Sequence, residues 1–394
     1  MSAPASAERS GPPANAGVAS LERDGALLLG ENAGVGGINT YMVRLAEGLR
    51  GRGIPAEIAT VWPKEDRWLE PECARRGIPL AILASARSVA ALPGAFFRLV
   101  RLLRRRDYAV LHTQANYSDL VGRAAWLTAG RRAALVATVH DLIPDEHEPR
   151  YAWRLMYRLA LRTRSLDDAT IAVSEPLAHG LGKWGVGRGA VDVIHNGTVV
   201  GTGPVDRGAG RAAPTVLFVG RLSSEKGCAV LLEAARLLVE RGRRFKLVFV
   251  GDGPERPSLE RTVHLARLGS YVAFEGWKLD VSAYYTQADV VAVPSLREGL
   301  SLTALEAMAS GVPVIASRTG GLAEIVLDEE TGLLVEPGDG AGLAAALDRC
   351  LADPALRRRL GDAGRRRALE RYSVATMVER TIAVYRRSLL PKTP

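Results

Sequence analysis

A chain of 394 residues exceeds one ordinary hydrophobic core, and 47% hydrophobic with 24% charged residues describes two or three folded domains rather than a disordered chain. The net charge of +9 arises from 46 Arg and only 6 Lys against 43 acidic residues; compositional bias accounts for most of it, with attraction to an anionic ligand as the functional reading. Three scattered cysteines (Cys73, Cys228 and Cys350) exclude a disulfide framework or a CxxC zinc module and fit a reducing compartment, and no run of 18 apolar residues is present to span a bilayer.

Residues 1–23 are rich in Ala, Ser, Pro and Gly without an apolar stretch, and are expected to be a disordered lead-in, not a signal peptide, on a cytoplasmic protein. From residue 24 to 200, short apolar runs alternate with amphipathic stretches. ALLLG (26–30), EIATV (57–61), LAIL (80–83), AVLH (109–112), ALVATVH (134–140), ATIAV (169–173) and VDVI (191–194) read as buried strands. Ile38, Tyr41, Met42, Leu45, Ala46 and Leu49 keep one apolar face at helical spacing. Residues 201–214 hold four glycines and no apolar periodicity, which predicts a linker. The alternation resumes with TVLFVG (215–220), FKLVFVG (245–251), YVAFEG (271–276), DVVAVPS (289–295), VPVIAS (312–317) and GLLVE (332–336), so 215–373 reads as a second domain of the same kind. The amphipathic stretch within 374–394 is long enough to return to the first domain. The expected fold class is α/β: two Rossmann-like domains, each a doubly wound parallel sheet, facing across a cleft lined by carboxyl-end loops.

The loops carry the chemistry. After the first strand, ENAGVGGINTY (31–41) places Gly34, Gly36 and Gly37 at the start of a helix, where the backbone approaches a ligand closely and N–H groups bind anions. A dinucleotide fingerprint does not fit, because Asn39 stands where the last glycine belongs and the second strand ends in Val61-Trp62-Pro63 without an acid for a ribose. GRLSSEKG (220–227) puts Arg221 and Lys226 at a strand end, a fork and a point charge suited to a diphosphate. A solvated basic loop is the rival reading, weakened because this chain so rarely uses Lys. In SLREGLSLTALEAMASGVPVIAS (295–317) a loop carries Glu298 and Gly299 and a helix begins near Ser301. The first amides of that helix, Leu302 and Thr303, are offered to a phosphate. Glu306, on the second turn, is placed to accept from the hydroxyls of a ribose, and Glu298 from those of a sugar.

Taken together, these stretches resemble the retaining glycosyltransferases of family 4. Glu298 and Glu306, separated by seven residues in a stretch that ends EAMASGVPVIAS, resemble its E-x7-E signature. GRLSSEKG resembles its diphosphate loop and GGINTY its N-terminal glycine loop, while TVHD (138–141), AVSE (172–175), HNG (195–197) and VGDGP (250–254) follow the family's order over about residues 25–390. The resemblance implies the GT-B fold, with the acceptor on the first domain and the nucleotide sugar held mainly by the second. It implies Arg221 and Lys226 on the diphosphate, Glu306 on the ribose, and Glu298 with Gly299 at the transferred sugar. It further implies the Leu302 and Thr303 amides on phosphate, Gly36 and Gly37 closing from the other domain, and His140 beside the reacting sugar. Catalysis would then rest on His140, Glu298, Arg221 and Lys226. Two departures stand out: Ser301 where a third glycine is common, which bears on the sugar pocket and donor choice, and His195 in place of a proline, which bears on its loop.

The implied reaction transfers a sugar, with retention, from a nucleoside-diphosphate sugar (UDP or GDP) to an acceptor hydroxyl in polysaccharide, glycolipid or natural-product synthesis. The nucleotide sugar is a co-substrate, and no cofactor or metal is expected, since the chain contains no D-x-D. Asn39, His112 and Asn116 are candidates for the acceptor side, and Trp277 and Lys278 for the base. Residues 93–108 place Phe96, Leu99, Val100 and Leu103 on one helical face and Arg98, Arg101, Arg104, Arg105 and Arg106 on the other. This reads first as a helix packed on the sheet, and second as a peripheral membrane contact toward a lipid-linked acceptor. A nucleic-acid partner is not expected, as no helix-turn-helix or RNP-like motif is visible. The alternatives are another GT-B nucleotide-sugar reaction, an epimerase or phosphorylase, and behind these a basic nucleic-acid-binding protein.

Overall fold

The computed structural model describes residues 15–34, 36–114, 116–141, 158–183, 186, 191–199 and 213–391. In the first domain, helix α1 (Asn15–Asp24) precedes β1 (Ala26–Asn32), α2 (Gly37–Arg50), β2 (Ala56–Trp62), α3 (Leu69–Arg75), β3 (Leu80–Ile82) and α4 (Leu92–Arg105). It continues with β4 (Val110–Thr113), α5 (Asn116–Ala129), β5 (Ala134–Val139), β6 (Ala169–Ala172), α6 (Glu175–Lys183) and β7 (Asp192–Val193). The second domain runs β8 (Thr215–Val219), α7 (Cys228–Glu240), β9 (Lys246–Val250), α8 (Arg256–Leu265), β10 (Val272–Gly276), α9 (Ser282–Gln287) and β11 (Val290–Val293). It ends with α10 (Leu302–Ala309), β12 (Val314–Ser317), α11 (Leu322–Ile325), β13 (Gly332–Val335), α12 (Gly340–Ala352) and α13 (Pro354–Arg371), before a last helix α14 (Val374–Ser388).

All strands pair in parallel, in the orders β3-β2-β1-β4-β5-β6-β7 and β10-β9-β8-β11-β12-β13. Two doubly wound sheets are therefore present, as the alternation of apolar runs predicts. Each is buried on both faces. In β1, Leu28 packs under α2 while Leu27 and Leu29 enter the opposite core with Leu99 and Leu103 of α4. Burial on both sides is why such strands are apolar without a break. Ladder ends are set by backbone chemistry: prolines 294 and 313, which lack an N–H, bound β11 and β12 to fewer residues than their apolar runs.

One expectation is corrected at the N-terminus. Residues 15–24 form α1 rather than a disordered lead-in, because Leu21 is fully buried beside Ile382 and Tyr385 of α14. Burying a leucine of this kind contributes about 1.5–3 kcal/mol, enough to offset ordering a short helix when a receiving surface already exists. Residues 1–14 lie outside the described residues, as does nearly all of the linker at 201–214.

Helix α14 belongs in sequence to the end of the chain but packs on the first domain, where Met377, Val378, Ile382 and Tyr385 join the core beneath α2. The Tyr385 hydroxyl lies 2.6 Å from His112 Nδ1, and His112 Nε2 lies 2.7 Å from Thr138 Oγ1. Near the start of α14 the chain is bonded to the segment leaving the first domain, with the Thr198 N–H donating to the Tyr372 carbonyl at 2.8 Å. A second tie joins the domains at α11. Glu324 accepts the Glu175 N–H at 2.9 Å and pairs with His195 Nε2, so His195 acts across the domain boundary and not only on its own loop.

Behind the first sheet lies a buried ionic network. Arg123 of α5 donates Nε and Nη2 to Asp167, both at 2.7 Å, and Nη1 to the Ala160 carbonyl at 3.1 Å. Arg164 donates to Asp119, whose other oxygen accepts from Thr113 at the end of β4. These bonds fasten the chain that re-enters at β6 to the end of β4. Removing one partner strands a buried charge, so Arg123→Met should destabilise the protein by about 3–5 kcal/mol. The measurement is the thermal unfolding midpoint, and an unchanged midpoint would show that the network is not structural.

Candidate active site

In each sheet the strand order reverses, between β1 and β4 and between β8 and β11. Helices diverge at such points and leave a crevice outside the carboxyl ends of the strands. The two crevices meet. A Cβ placed on Gly299 would lie 1.9 Å from the His140 carbonyl oxygen, so only a glycine permits this approach between the domains. A Cβ on Gly37, at the start of α2, would lie 3.6 Å from Leu302 Cδ1, at the start of α10, and nothing lies within 4 Å of one on Gly36.

The cationic loop is shaped by Gly227. Its φ of +68° and a would-be Cβ 1.9 Å from the Pro294 carbonyl oxygen tuck the turn Ser224–Lys226 under the end of β11. The Leu296 N–H donates to the Glu225 carbonyl at 2.8 Å and binds the two loops together. Lys226 Nζ then donates to Glu298 Oε2 at 2.8 Å, where Ser295 Oγ also donates at 3.1 Å. Burial would lower the Lys226 ammonium, but Glu298, Glu225 and Asp141 outweigh it and hold it above its ordinary value. Arg221 is exposed on the same loop.

At α10 the Ser301 hydroxyl accepts the Ala304 N–H at 3.3 Å. The residue standing in for a third glycine is therefore a buried N-cap turned into the helix. The N–H groups of Leu302 and Thr303, in the first turn, have no acceptor inside the helix, and the Leu302 side chain lies beside Gly37. Thr303 Oγ1 donates to the Val219 carbonyl at 3.0 Å, fixing the helix start beside the end of β8. Glu306 follows on the side facing α2. Its Oε1 accepts from Arg44 at 2.7 Å and its Oε2 from the Tyr285 hydroxyl at 3.1 Å.

On the opposite wall, His140 Nε2 lies 3.0 Å from Gln114 Oε1, and the ring stands edge-on to Tyr41. Desolvation pushes the His140 imidazole down to about 3, so it is neutral at physiological pH. Asp141, which follows it, is exposed at the surface; desolvation by the facing loops, with Glu298 and Glu225, raises its carboxyl above the usual range, although Lys226 and Arg221 oppose the rise.

The structure thus gathers Arg221, Lys226, Glu298, Gly299, Leu302, Thr303 and Glu306 on one wall, with Gly36, Gly37 and His140 opposite. Two suggested acceptor contacts are corrected. His112 is fully buried with both ring nitrogens engaged, and desolvation pushes it down to about 3 with His140 adding to the effect. Asn39 is 5% exposed and donates to the Asn32 and Gly34 carbonyls, so it braces the glycine loop from within. Asn116 is the first residue of α5. Trp277, exposed, follows the end of β10, where Lys278 pairs with Glu275 at 3.4 Å. Sequence reasoning missed Arg44, Tyr285, Gln114 and Asp141. Asp141 had a signal in its strand-end position, whereas Arg44 was one arginine among 46.

The basic helix α4 spends its apolar stripe on the sheet, with Ala95, Leu99, Val100 and Leu103 buried. Arg98 and Arg104 donate to the Leu83 and Thr128 carbonyls, and Arg106 pairs with Glu57. No described helix is long and apolar enough to cross a membrane.

Comparison with known proteins agrees with this architecture. Residues 35–200 match the model of "Glycosyltransferase Family 4", and residues 207–367 that of "Glycosyl transferases group 1". The MMP alpha-(1->4)-mannosyltransferase of Mycolicibacterium hassiacum is 33% identical over 74% of both chains. The D-inositol 3-phosphate glycosyltransferase of Nocardia farcinica is 31% identical over 83% of this chain and 79% of its own. Among solved structures, Anabaena HepE in complex with UDP-glucose superposes with a TM-score of 0.78 at 23% identity, covering 91% of this chain and 98% of its own. Sucrose-phosphate synthase from Thermosynechococcus elongatus gives 0.77 at 28% identity, covering 92% and 98%. With both domains matched in order, and with relatives above 30% identity over most of their length, this chain belongs to the group 1 glycosyltransferases, family 4.

Proposed function

We propose that the protein is a retaining glycosyltransferase that moves a sugar from a nucleoside-diphosphate sugar, with UDP or GDP as the nucleotide, to an acceptor hydroxyl. One observation carries the reading: the Lys226–Glu298 ion pair beside the open N-terminus of α10, directly across the cleft from His140. A cation and helix amides for a diphosphate, and a carboxylate for sugar hydroxyls, stand in one place.

On donor binding, Lys226 exchanges part of its contact with Glu298 for the diphosphate, which Arg221 and the Leu302 and Thr303 N–H groups also face. Glu306 accepts from the ribose hydroxyls. Glu298, released on one oxygen, accepts from hydroxyls of the sugar. In the chemical step the bond from the anomeric carbon to the diphosphate oxygen breaks. The acceptor oxygen bonds to that carbon on the same face, and the acceptor proton passes to the departing phosphate. Negative charge grows on the leaving group, so preorganised donors there lower the barrier most. The fixed cations and amides take this charge, and the proposed reaction needs no metal. His140, neutral and donating Nε2–H to Gln114, keeps Nδ1 as an acceptor for a sugar hydroxyl. The first domain receives the acceptor. Relatives that are mannosyl- and D-inositol 3-phosphate glycosyltransferases support a hydroxyl-rich acceptor, with polysaccharide, glycolipid or natural-product glycoside synthesis as the setting. The engaged arginines and buried stripe of α4 make membrane contact no part of the proposal.

Thermal-shift titration with UDP, GDP and ADP should raise the unfolding midpoint with one of the first two, and the matching nucleotide sugars should release that nucleotide in the presence of acceptor. No shift and no release would sink the reading. Lys226→Ala should slow release by about 10²–10³-fold, the usual loss for one leaving-group donor. Full activity in that variant would remove Lys226 from the site. Because desolvation holds both imidazoles near 3, the ring protons of His112 and His140 should show no titration by NMR between pH 5 and 8. Both carry a depressed folded value, so the stability they contribute is complete above the unfolded value near 6.5 and is lost as the pH falls from there toward 3.

A further inference from the structure

Arg44 lies on α2, two turns beyond the glycine loop, with its side chain only 14% exposed between the domains. It holds two acceptors at once. One terminal nitrogen donates to Glu306 Oε1 at 2.7 Å, and the other to the Gly197 carbonyl at 3.0 Å. Gly197 sits where the chain leaves the first domain. A Cβ there would lie 2.5 Å from Val374 Cα, its N–H donates to Met377 Sδ, and the next residue, Thr198, bridges in parallel to Ser373. Both passages of the chain between the domains are thus stitched together at this carbonyl. Arg44 connects α2 of the first domain, the crossing segment, and a carboxylate of the second domain.

We infer that Arg44 is the positioning residue of the donor site, orienting Glu306 toward the ribose and doing so only while the domains are closed. This inference rests on the nucleotide-sugar reading above. A carboxylate offers about four acceptor positions. Arg44 takes one on Oε1 and Tyr285 one on Oε2, which leaves one on each oxygen for the vicinal hydroxyls of a ribose. The two partners fix the plane of the carboxylate without filling it. Tyr285 belongs to the same domain as Glu306, so its bond survives any domain motion; Arg44 belongs to the other, so its bond does not. A guanidinium is suited to this task because its rigid fork serves two acceptors in a fixed geometry, which an ammonium does not. Opening the cleft would pull Arg44 from Glu306 or from Gly197, and the ribose would then meet a carboxylate held on one side only.

The test compares the affinity of UDP and GDP with that of their 2′,3′-dideoxy forms, by calorimetry, in the wild type, Arg44→Lys, Arg44→Met and Glu306→Ala. The wild type should favour the nucleotide with ribose hydroxyls. Arg44→Met should weaken that nucleotide about tenfold, the scale of one lost charged hydrogen bond, while leaving the dideoxy form unchanged. Arg44→Lys, which keeps the charge and loses the fork, should fall between them, and Glu306→Ala should erase the preference for ribose. If Arg44→Met weakens both forms equally, the residue supports the fold in general and the inference fails. If it tightens the natural nucleotide, Arg44 blocks Glu306 rather than orienting it, and the inference fails equally. Absence of any nucleotide binding to the wild type would instead refute the donor reading itself.

Discussion

The architecture turns on a place where no side chain fits. Gly299 of the second domain rests against the carbonyl oxygen of His140 in the first, at a distance that a single Cβ would reduce to 1.9 Å. The same loop leans on Gly320, where a Cβ would lie 1.8 Å from the Glu298 carbonyl oxygen and φ is +47°. Backbone thus packs on backbone around Glu298, and the carboxylate is delivered to the cleft by a loop with little freedom to move. Preorganisation of this kind matters because a site that must stabilise a developing charge cannot afford to reorganise while it forms.

Around that contact the charges are arranged in pairs with different reach. Lys226 and Glu298 belong to one domain and pair irrespective of the other. Glu306 pairs with Arg44 and Glu324 with His195, and both of these bonds cross the boundary. Burial alone would push Glu324 up; the His195 contact and the Glu175 N–H outweigh it and hold the carboxyl below its usual range. Acids that face an anionic ligand would repel it if left bare. Here each of the two motif acids has a cation and a hydroxyl on it, Lys226 and Ser295 for Glu298, Arg44 and Tyr285 for Glu306. Each carboxylate is thus met by a positive charge and a hydroxyl donor within the protein itself.

The last helix gives the two domains a common fate. Because α14 is covalently the end of the second domain and energetically part of the first, moving the domains apart bends two adjacent chain crossings rather than one. His112 takes part in this from inside the sheet, through Tyr385, which is why a histidine on β4, a strand that borders the crevice, serves structure and not the acceptor.

The order and number of strands were legible in the sequence because a parallel strand buried on both faces must be an unbroken apolar run. The glycine loops, the Arg221–Lys226 turn and the spacing of Glu298 and Glu306 were legible for a related reason: each is local, and strand-end loops in such sheets line a crevice whatever the rest of the chain does. What could not be read were bonds between residues far apart. Arg44 and Glu306 are separated by 262 positions and His112 and Tyr385 by 273, and no local pattern marks either pair. The α1 helix has no local signal for the same reason, since Leu21 is ordered by a surface that exists only after α14 has folded back. Composition and local spacing determined two doubly wound sheets and the loops at the carboxyl ends of their strands. Tertiary structure decided which histidine is buried, which arginine holds Glu306, and that the domains meet there, because desolvation and pairing depend on neighbours the chain brings together only on folding.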